Sequence, residues 1–296
     1  MEFIRTYLGE VVDFGVAFGW MSLLFVAMET LCPRDGVRIS AASRWRAIRI
    51  WLVYVPIITL IGHGLLQIWA PLGVKPLLPD LAPAGLPRPL GVLIAALAAA
   101  FIGDFFYYWC HRAQHRFLWR FHAVHHSVRE MSGVSGYHHV SEELFKFALY
   151  SVPLAFFIDD PFAWPVLGGL LAWQGNYLHS ATRLNFGPLG RYFADNRFHR
   201  IHHSIEPQHV DRNFGVFTTL WDELFGTAHH PAADEWPATG VADFPEPRSI
   251  GEYLAAPFVH GATTPARPIL DFPALTDNNP RLPPPGLPAG AMIHDG

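Results

Sequence analysis

Three long apolar stretches alternate with polar loops in the first part of the chain. They cover residues 11–32, 48–70 and 90–109. Each reaches the roughly 20 residues that an α-helix needs to cross the hydrocarbon core of a bilayer. The acidic residues Glu2 and Glu10 precede the first stretch, which therefore lacks the basic start of a cleaved signal peptide. The pattern predicts three membrane-spanning helices, the first of them retained in the mature protein.

A fourth apolar region, residues 144–178, is interrupted by Asp159, Asp160 and Pro161. The interruption leaves two pieces that are each short for a full crossing. We therefore expect a helical hairpin that enters and leaves the membrane on the same side.

The charges of the short loops predict how the spans are oriented. Loop 33–49 contains five arginines, whereas loop 71–89 contains only Lys75 and Arg88. Because positive loops mark the cytoplasmic side, three spans place the chain from His111 onward in the cytoplasm. The hairpin returns the chain to that side.

Composition supports one membrane-embedded unit. The chain is 51% hydrophobic and only 16% charged, against about 25% charged residues in an ordinary soluble domain. The net charge of −4 provides no general basic surface, so nucleic acid is not an expected partner. We divide the chain into spans at 1–110, a histidine-rich region at 111–227 and a covering segment at 228–296 that holds half of the 26 prolines.

The 17 histidines are concentrated in three motifs, HxxxH at 111–115 and HxxHH at 122–126 and 199–203. Residues three and four apart share a face of a helix, so we expect each motif to direct its imidazoles to one point. Neutral imidazole binds iron, zinc and copper, and eight such ligands exceed one tetrahedral site. The motifs predict two metal ions. We interpret four isolated histidines as packed or surface residues: His63, His209, His260 and His294.

The region from about Asp104 to Thr227 resembles the fatty acid hydroxylase and sterol desaturase superfamily of membrane di-iron oxygenases. Segment 104–111 is similar to the acidic residue and aromatic pair before the family's first histidine box, and segment 121–127 is similar to its second box. The stretch 199–227, with HRIHHS, NFG and WDELFGT, is similar to the family's closing signature.

The resemblance implies two further ligands. Residues 137–142 match the family pattern at His139 rather than His138, and His179 matches the histidine at the end of the hairpin. Tyr137, Val140 and the pair 195–196 depart from the family's usual residues. The complete predicted ligand set is His111, His115, His122, His125, His126, His139, His179, His199, His202 and His203.

Acidic side chains are expected to orient these imidazoles by accepting their second N–H group. Asp104 is the first candidate, because an acid near the end of a span is costly unless it has a partner. The other candidates are Glu142, Asp195, Asp211 and Asp222. Six aromatic residues are expected to line a path for a lipid substrate: Phe101, Phe105, Phe106, Tyr107, Trp173 and Tyr177.

The resemblance implies an all-α membrane bundle with a cytoplasmic di-metal cap, two iron ions that zinc can replace in purified protein, and dioxygen as co-substrate. The implied reaction is hydroxylation or desaturation of a lipid C–H bond. The sequence contains no dinucleotide glycine motif, haem signature or ferredoxin cysteine run, so a ferredoxin or a cytochrome b5-like protein must supply electrons. Four arginines are candidates for its docking or for contacts with lipid headgroups: Arg112, Arg116, Arg120 and Arg129.

Two other functions remain open at this stage. A membrane zinc metallohydrolase would need neither dioxygen nor a reductant, but it would leave several histidines without a role. A metal transporter or binding protein would place ligands along a path inside the bilayer, whereas these motifs follow the predicted spans.

Overall fold

The computed structural model describes residues 1–73, 75, 77, 85–157 and 163–260. Over these residues the regular secondary structure is helical, and β-structure is limited to isolated bridges. This confirms the all-α prediction for the described part of the chain. The three longest helices are α1 (Glu2–Leu31), α2 (Ala41–Trp69) and α3 (Arg88–Phe117).

These three helices are long and apolar enough to cross a membrane. Their most apolar windows are only 11%, 17% and 39% buried inside the protein, in chain order, so most of their apolar surface faces outward. The predicted apolar spans are thus confirmed as helices. One boundary differs: α3 continues past Trp109 to Phe117, because no glycine or proline interrupts it there. His111 and His115 therefore lie on the same continuous helix as the third apolar stretch.

Seven shorter helices complete the described fold. They are α4 (Trp119–His126), α5 (Glu142–Lys146), α6 (Val152–Ala155), α7 (Ala163–His179), α8 (Asn196–His202), α9 (Leu220–Leu224) and α10 (Ile250–Val259). A turn of π-helix, Phe147–Ser151, joins α5 to α6.

The predicted membrane hairpin corresponds to two helical arms, residues 142–155 and 163–179. Small alanines of α3 pack with Leu154 and Leu167 of these arms in one apolar cluster. The predicted break at 159–161 lies outside the described residues, and the hairpin stays a prediction.

Glu29 anchors the loops near the end of α1. Its side chain is buried and ion-paired with Arg44 at 2.9 Å. Its other carboxylate oxygen accepts hydrogen bonds from the backbone N–H groups of Gly133 and Ala181, at 2.7 and 3.0 Å. Ala181 follows His179 by two residues, so this carboxylate helps to fix the end of α7.

Part of the segment 228–260 packs against the histidine-rich region. Helix α10 packs on α4 and α2. The Tyr253 hydroxyl donates to the His138 carbonyl at 2.7 Å, and Arg120 donates to the Pro257 carbonyl at 2.7 Å. Residues 261–296 lie outside the described part of the chain.

Candidate metal centre

Nine buried histidines converge in two groups, and within each group the ligand atoms lie within 4.8 Å of one another. The first histidine group consists of His111, His115, His122, His126 and His202. The second histidine group consists of His125, His179, His199 and His203.

Each HxxHH motif divides its imidazoles between the two groups. His122 and His126, four residues apart on α4, belong to the first group, whereas His125 belongs to the second. The expectation that one motif serves one point is therefore wrong. At 3.6 residues per turn, a step of four residues rotates a side chain by only about 40°, while a step of three rotates it about 60° the other way.

The motif at 199–203 repeats this division with the groups exchanged. His199 and His203 belong to the second group, and His202 belongs to the first. Helices α4 and α8 thus each contribute to both groups, while α3 contributes only to the first and α7 only to the second. Four helices from distant parts of the sequence build the centre.

Carbonyl oxygens fix the tautomer of several imidazoles. The Nδ1 atoms of His125 and His179 lie 3.0 and 2.7 Å from the carbonyl oxygens of Tyr137 and Gly175. In the first group, Nδ1 of His111 lies 2.8 Å from the carbonyl oxygen of Phe214. A carbonyl can only accept, so Nδ1 carries the hydrogen and Nε2 is left with its lone pair. Histidine binds a metal ion through a ring nitrogen that has a free lone pair.

These lone pairs face one another. Nε2 of His125 and Nε2 of His179 are 3.3 Å apart, although neither carries a hydrogen to share. The Nε2 atoms of His199 and His203 are 3.1 Å apart. Two ligands held about 2.0–2.1 Å from one ion stand at about this separation. A cation between the nitrogens removes the repulsion, so the donor set fits bound metal.

Burial keeps these side chains neutral. It is the largest cause of the lowered pKa values of His125, His126, His199 and His203, and neighbouring imidazoles lower them further. Neutral imidazole binds first-row transition metals such as iron and zinc. The site can therefore bind metal at neutral pH without displacing protons from these four rings.

His139 is the predicted ligand that the structure does not bring to either group. Its Nδ1 atom lies 2.7 Å from Ser141 Oγ, and its ring packs near Phe121 and Tyr253. The adjacent His138 faces the centre instead and stacks on His125 with ring centroids 3.9 Å apart. Successive side chains on this non-helical segment point in opposite directions, which is why only one of the two histidines reaches the site.

Two of the predicted acids contact imidazoles. Glu142 Oε2 lies 2.9 Å from His122 Nδ1 and 3.2 Å from His138 Nδ1. Asp211 Oδ1 lies 3.2 Å from His115 Nδ1. Burial raises the pKa of Glu142 to about 7, and the positive charge of Lys146 and the backbone N–H of His139 favour its ionised form. These two carboxylates are placed to orient ligands of the first group.

The other three predicted acids bind backbone rather than imidazoles. Asp104 accepts from the N–H groups of residues 216–218 at 2.9–3.0 Å. Asp195 caps the N-terminus of α8 by accepting from the N–H groups of residues 197 and 198. Asp104 was expected to orient an imidazole; it instead holds the segment that follows Phe214.

Asp222 supports the same segment from its other side. It accepts from the N–H groups of Phe214 and Gly215 at 2.8 and 2.7 Å. A side chain at Gly215 would meet the Thr218 carbonyl oxygen at 2.4 Å, so the close approach needs glycine. Because the Phe214 carbonyl binds His111, Asp222 positions that ligand through the backbone.

We expect Glu142→Gln to lower activity or metal affinity by about 10–100-fold, the usual effect of losing a partner that orients a ligand. Glutamine keeps the size of the side chain but removes the charge beside His122. The matched control is Glu143→Gln, because the Glu143 carboxylate binds Tyr54 and Lys146 rather than a histidine. Metal content by elemental analysis should fall in the first variant only; an equal loss in both would contradict the orienting role.

An apolar cavity of about 190 Å³ opens beside the second histidine group. His125, His179 and His199 form part of its wall, and most of the remaining wall is apolar. The apolar residues are Ala100, Leu171, Leu178, Val216 and Phe217, with Tyr107 and Tyr150 beside them. The cavity therefore joins a histidine group to a space suited to an alkyl chain.

Among the six aromatic residues predicted to line a substrate path, Tyr107 borders this cavity. Phe101 and Phe105 pack against Trp221 instead. Trp173 stacks on Tyr177. The sequence pattern identified α3 as a helix that borders the cavity. It could not distinguish the face of α3 that lines the cavity from the face that packs against other side chains.

The fold and this site define a helical protein with three candidate membrane spans and two buried groups of histidines that could each hold a metal ion. Residues 96–227 match the family model of the fatty acid hydroxylases. This match, together with the curated relatives, confirms the resemblance of the histidine motifs to the fatty acid hydroxylase superfamily.

Curated relatives align over the same region. The ornithine lipid hydroxylase OlsE of Rhizobium tropici is 36% identical over 52% of this chain and 45% of its own length. The alkylglycerol monooxygenase of Caenorhabditis elegans is 31% identical over 48% of this chain and 28% of its own length. The human alkylglycerol monooxygenase is 30% identical over 44% of this chain and 29% of its own length. The chain thus spans less than half the length of these relatives. No solved structure matches it.

Proposed function

We propose that this protein is a dioxygen-dependent membrane oxidoreductase that hydroxylates a C–H bond of a lipid. The observation that carries the proposal is the apolar cavity bounded by His125, His179 and His199. It lets an alkyl chain lie against the histidines while its apolar wall excludes water. The names of the relatives, which include lipid hydroxylases and monooxygenases, support the same reaction.

Two iron ions, held by the two histidine groups, would supply the reduction of dioxygen and the removal of hydrogen from an unactivated C–H bond, which side chains alone cannot perform. The protein's own contribution is to fix nine imidazoles and to orient six of them through partners of Nδ1. Burial also keeps rings such as those of His125 and His126 neutral, because it lowers their pKa values. Glu142 and Asp211 accept hydrogen bonds on the first group.

The proposed substrate is a lipid with an acyl or alkyl chain. The cavity lies between α3 and α7, and α3 is also the third candidate membrane span. A chain from the surrounding bilayer can therefore reach the histidines without crossing water. The polar part of the lipid would remain at the mouth of the cavity.

We further propose that the protein is a multi-pass membrane protein whose metal centre faces the cytoplasm. The support is the arginine-rich loop between α1 and α2. A ferredoxin or cytochrome b5-like protein would dock on that face. Arg116 and Arg129 are exposed and are our candidates for that docking, while Arg120 is already bonded to the Pro257 carbonyl.

Desaturation is the second candidate reaction, because hydrogen removal is its first step as well. A zinc hydrolase and a metal transporter have less support. The nine converging histidines exceed the usual ligand set of a hydrolytic zinc. The ligands also lie together at the end of α3 rather than along a path through the spans.

The test is a comparison of lipid extracts from cells with the wild-type gene and cells with the His179→Ala variant. Hydroxylation adds one oxygen atom, so we expect a lipid species about 16 Da heavier in wild-type cells only. A species about 2 Da lighter would instead indicate desaturation. Identical lipid profiles under conditions where the wild-type protein contains metal would contradict the proposal.

A further inference from the structure

A further cluster of side chains that could bind a metal ion lies outside the two histidine groups. His209, His229 and Glu235 bring their ligand atoms within 4.8 Å of one another. Nε2 of His209 lies 3.1 Å from Glu235 Oε1, and Nε2 of His229 lies 3.2 Å from both carboxylate oxygens. His209, interpreted from the sequence as an isolated residue, therefore has two partners that lie 20 and 26 residues further along the chain.

Each member of this cluster is anchored independently. Nδ1 of His209 lies 2.8 Å from Ser204 Oγ. The Glu235 carboxylate accepts from the backbone N–H of Ala232 at 2.8 Å. The backbone of His229 is held by Asn213, which accepts its N–H at 2.7 Å. The three groups are thus preorganised before any ion binds.

The burial of the cluster is asymmetric. The His209 side chain is 0% exposed, whereas those of Glu235 and His229 are 24% and 32% exposed. The two histidines and one carboxylate therefore face one another with one side open to solvent. Two imidazoles, a carboxylate and an open position for water form a ligand set that zinc commonly takes in proteins.

We propose that His209, His229 and Glu235 bind a third divalent metal ion of the zinc type, separate from the two histidine groups. The ion links the segment after α8 to the segment after α9. His209 precedes Asp211 by two residues, and Asp211 binds His115 of the first histidine group. The third ion therefore braces the loop that supports that group. This inference does not depend on the proposed hydroxylase activity.

The alternative for the same geometry is a cluster held by hydrogen bonds alone, in which both imidazoles donate to Glu235. Glu235→Gln separates the two cases, because glutamine retains the size and a carbonyl acceptor but is a poor zinc ligand. His229→Gln is a second variant at the most exposed position. His230→Gln is the matched control: His230 is adjacent, exposed and bonded to Glu223.

The experiment uses the full chain, purified in detergent after growth with zinc, and measures metal per chain by elemental analysis. We expect wild type and His230→Gln to contain about one equivalent more than Glu235→Gln and His229→Gln. Brief chelation should remove this equivalent first, because the cluster is partly exposed. It should also lower the unfolding temperature of the wild type while leaving that of Glu235→Gln unchanged.

The test compares the metal content of the variants with that of the wild type. The result therefore does not depend on how much metal the two histidine groups retain. Equal metal content in wild type, Glu235→Gln and His229→Gln would show a hydrogen-bonded cluster and overturn the proposal. An equal deficit in the His230→Gln control would also overturn it. A failure of the proposed function would appear instead as an unchanged lipid profile, or as the loss of the metal of the two histidine groups from every sample while the one-equivalent difference between wild type and Glu235→Gln remains.

Discussion

Alanine at His125 or at His126 is expected to abolish turnover and to remove about one metal ion in each case. The two residues are neighbours on α4, but His125 belongs to the second histidine group and His126 to the first. Each substitution therefore opens one group and leaves the other complete. We expect activity to fall by more than about 100-fold, beyond the range typical of partners that only orient ligands.

The measurement is elemental analysis together with turnover in purified membranes. His139→Gln is the informative control, since the resemblance implies a ligand at this position but the structure directs its ring toward Phe121 and Tyr253. We expect this variant to keep the full metal content. His63→Ala should behave as wild type. Metal loss in His139→Gln, or full activity in both ligand variants, would contradict the two-group assignment.

Product formation is expected to stop completely without dioxygen or without an electron donor. Insertion of one oxygen atom into a C–H bond releases the other atom as water, and this balance requires two electrons and two protons from outside the substrate. The chain contains no motif for a flavin, haem or iron–sulfur cluster that would store them. We therefore expect a ferredoxin or cytochrome b5 system with NAD(P)H to restore activity.

The assay compares membranes under nitrogen, in air, and in air with the reconstituted donor. The product should form only in the last case, and labelled dioxygen should contribute one atom to it. An unlabelled product that still needs dioxygen and donor would indicate desaturation. Product formed equally under nitrogen without reductant would refute the oxygenase and favour the zinc hydrolase.

Local sequence patterns were sufficient to predict the three longest helices of the fold. A run of apolar residues must form internal hydrogen bonds to be stable in lipid, and the helix is the structure that achieves this within one segment. Helices α1, α2 and α3 are accordingly where the hydropathy pattern predicts them. The ends were less predictable, because no local residue stops α3 at Trp109.

Most of the histidines that converge in the structure were also readable from the sequence. Nine of the ten histidines predicted as ligands lie in the two groups. His138 and His139 illustrate the limit of that reading. The sequence places them side by side, and only the packing of α10 and α4 around this segment decides which ring reaches the centre.

Spacing along a helix could predict that histidines share a region but not which of the two groups each of them joins. His122 and His126 meet because a step of four residues nearly closes a helical turn, a local rule visible in the sequence. That His125 meets His179 instead depends on how α4 packs near α7, an arrangement set by contacts between segments 54 residues apart.

The sequence by itself determined the class of protein, since apolar length and imidazole chemistry are properties of local segments. Tertiary structure alone decided the pairing of ligands, the redirection of Asp104 to a backbone segment and the meeting of His209 with Glu235. Each of these depends on long-range packing, in which a buried polar group takes whichever partner the fold brings within hydrogen-bonding distance.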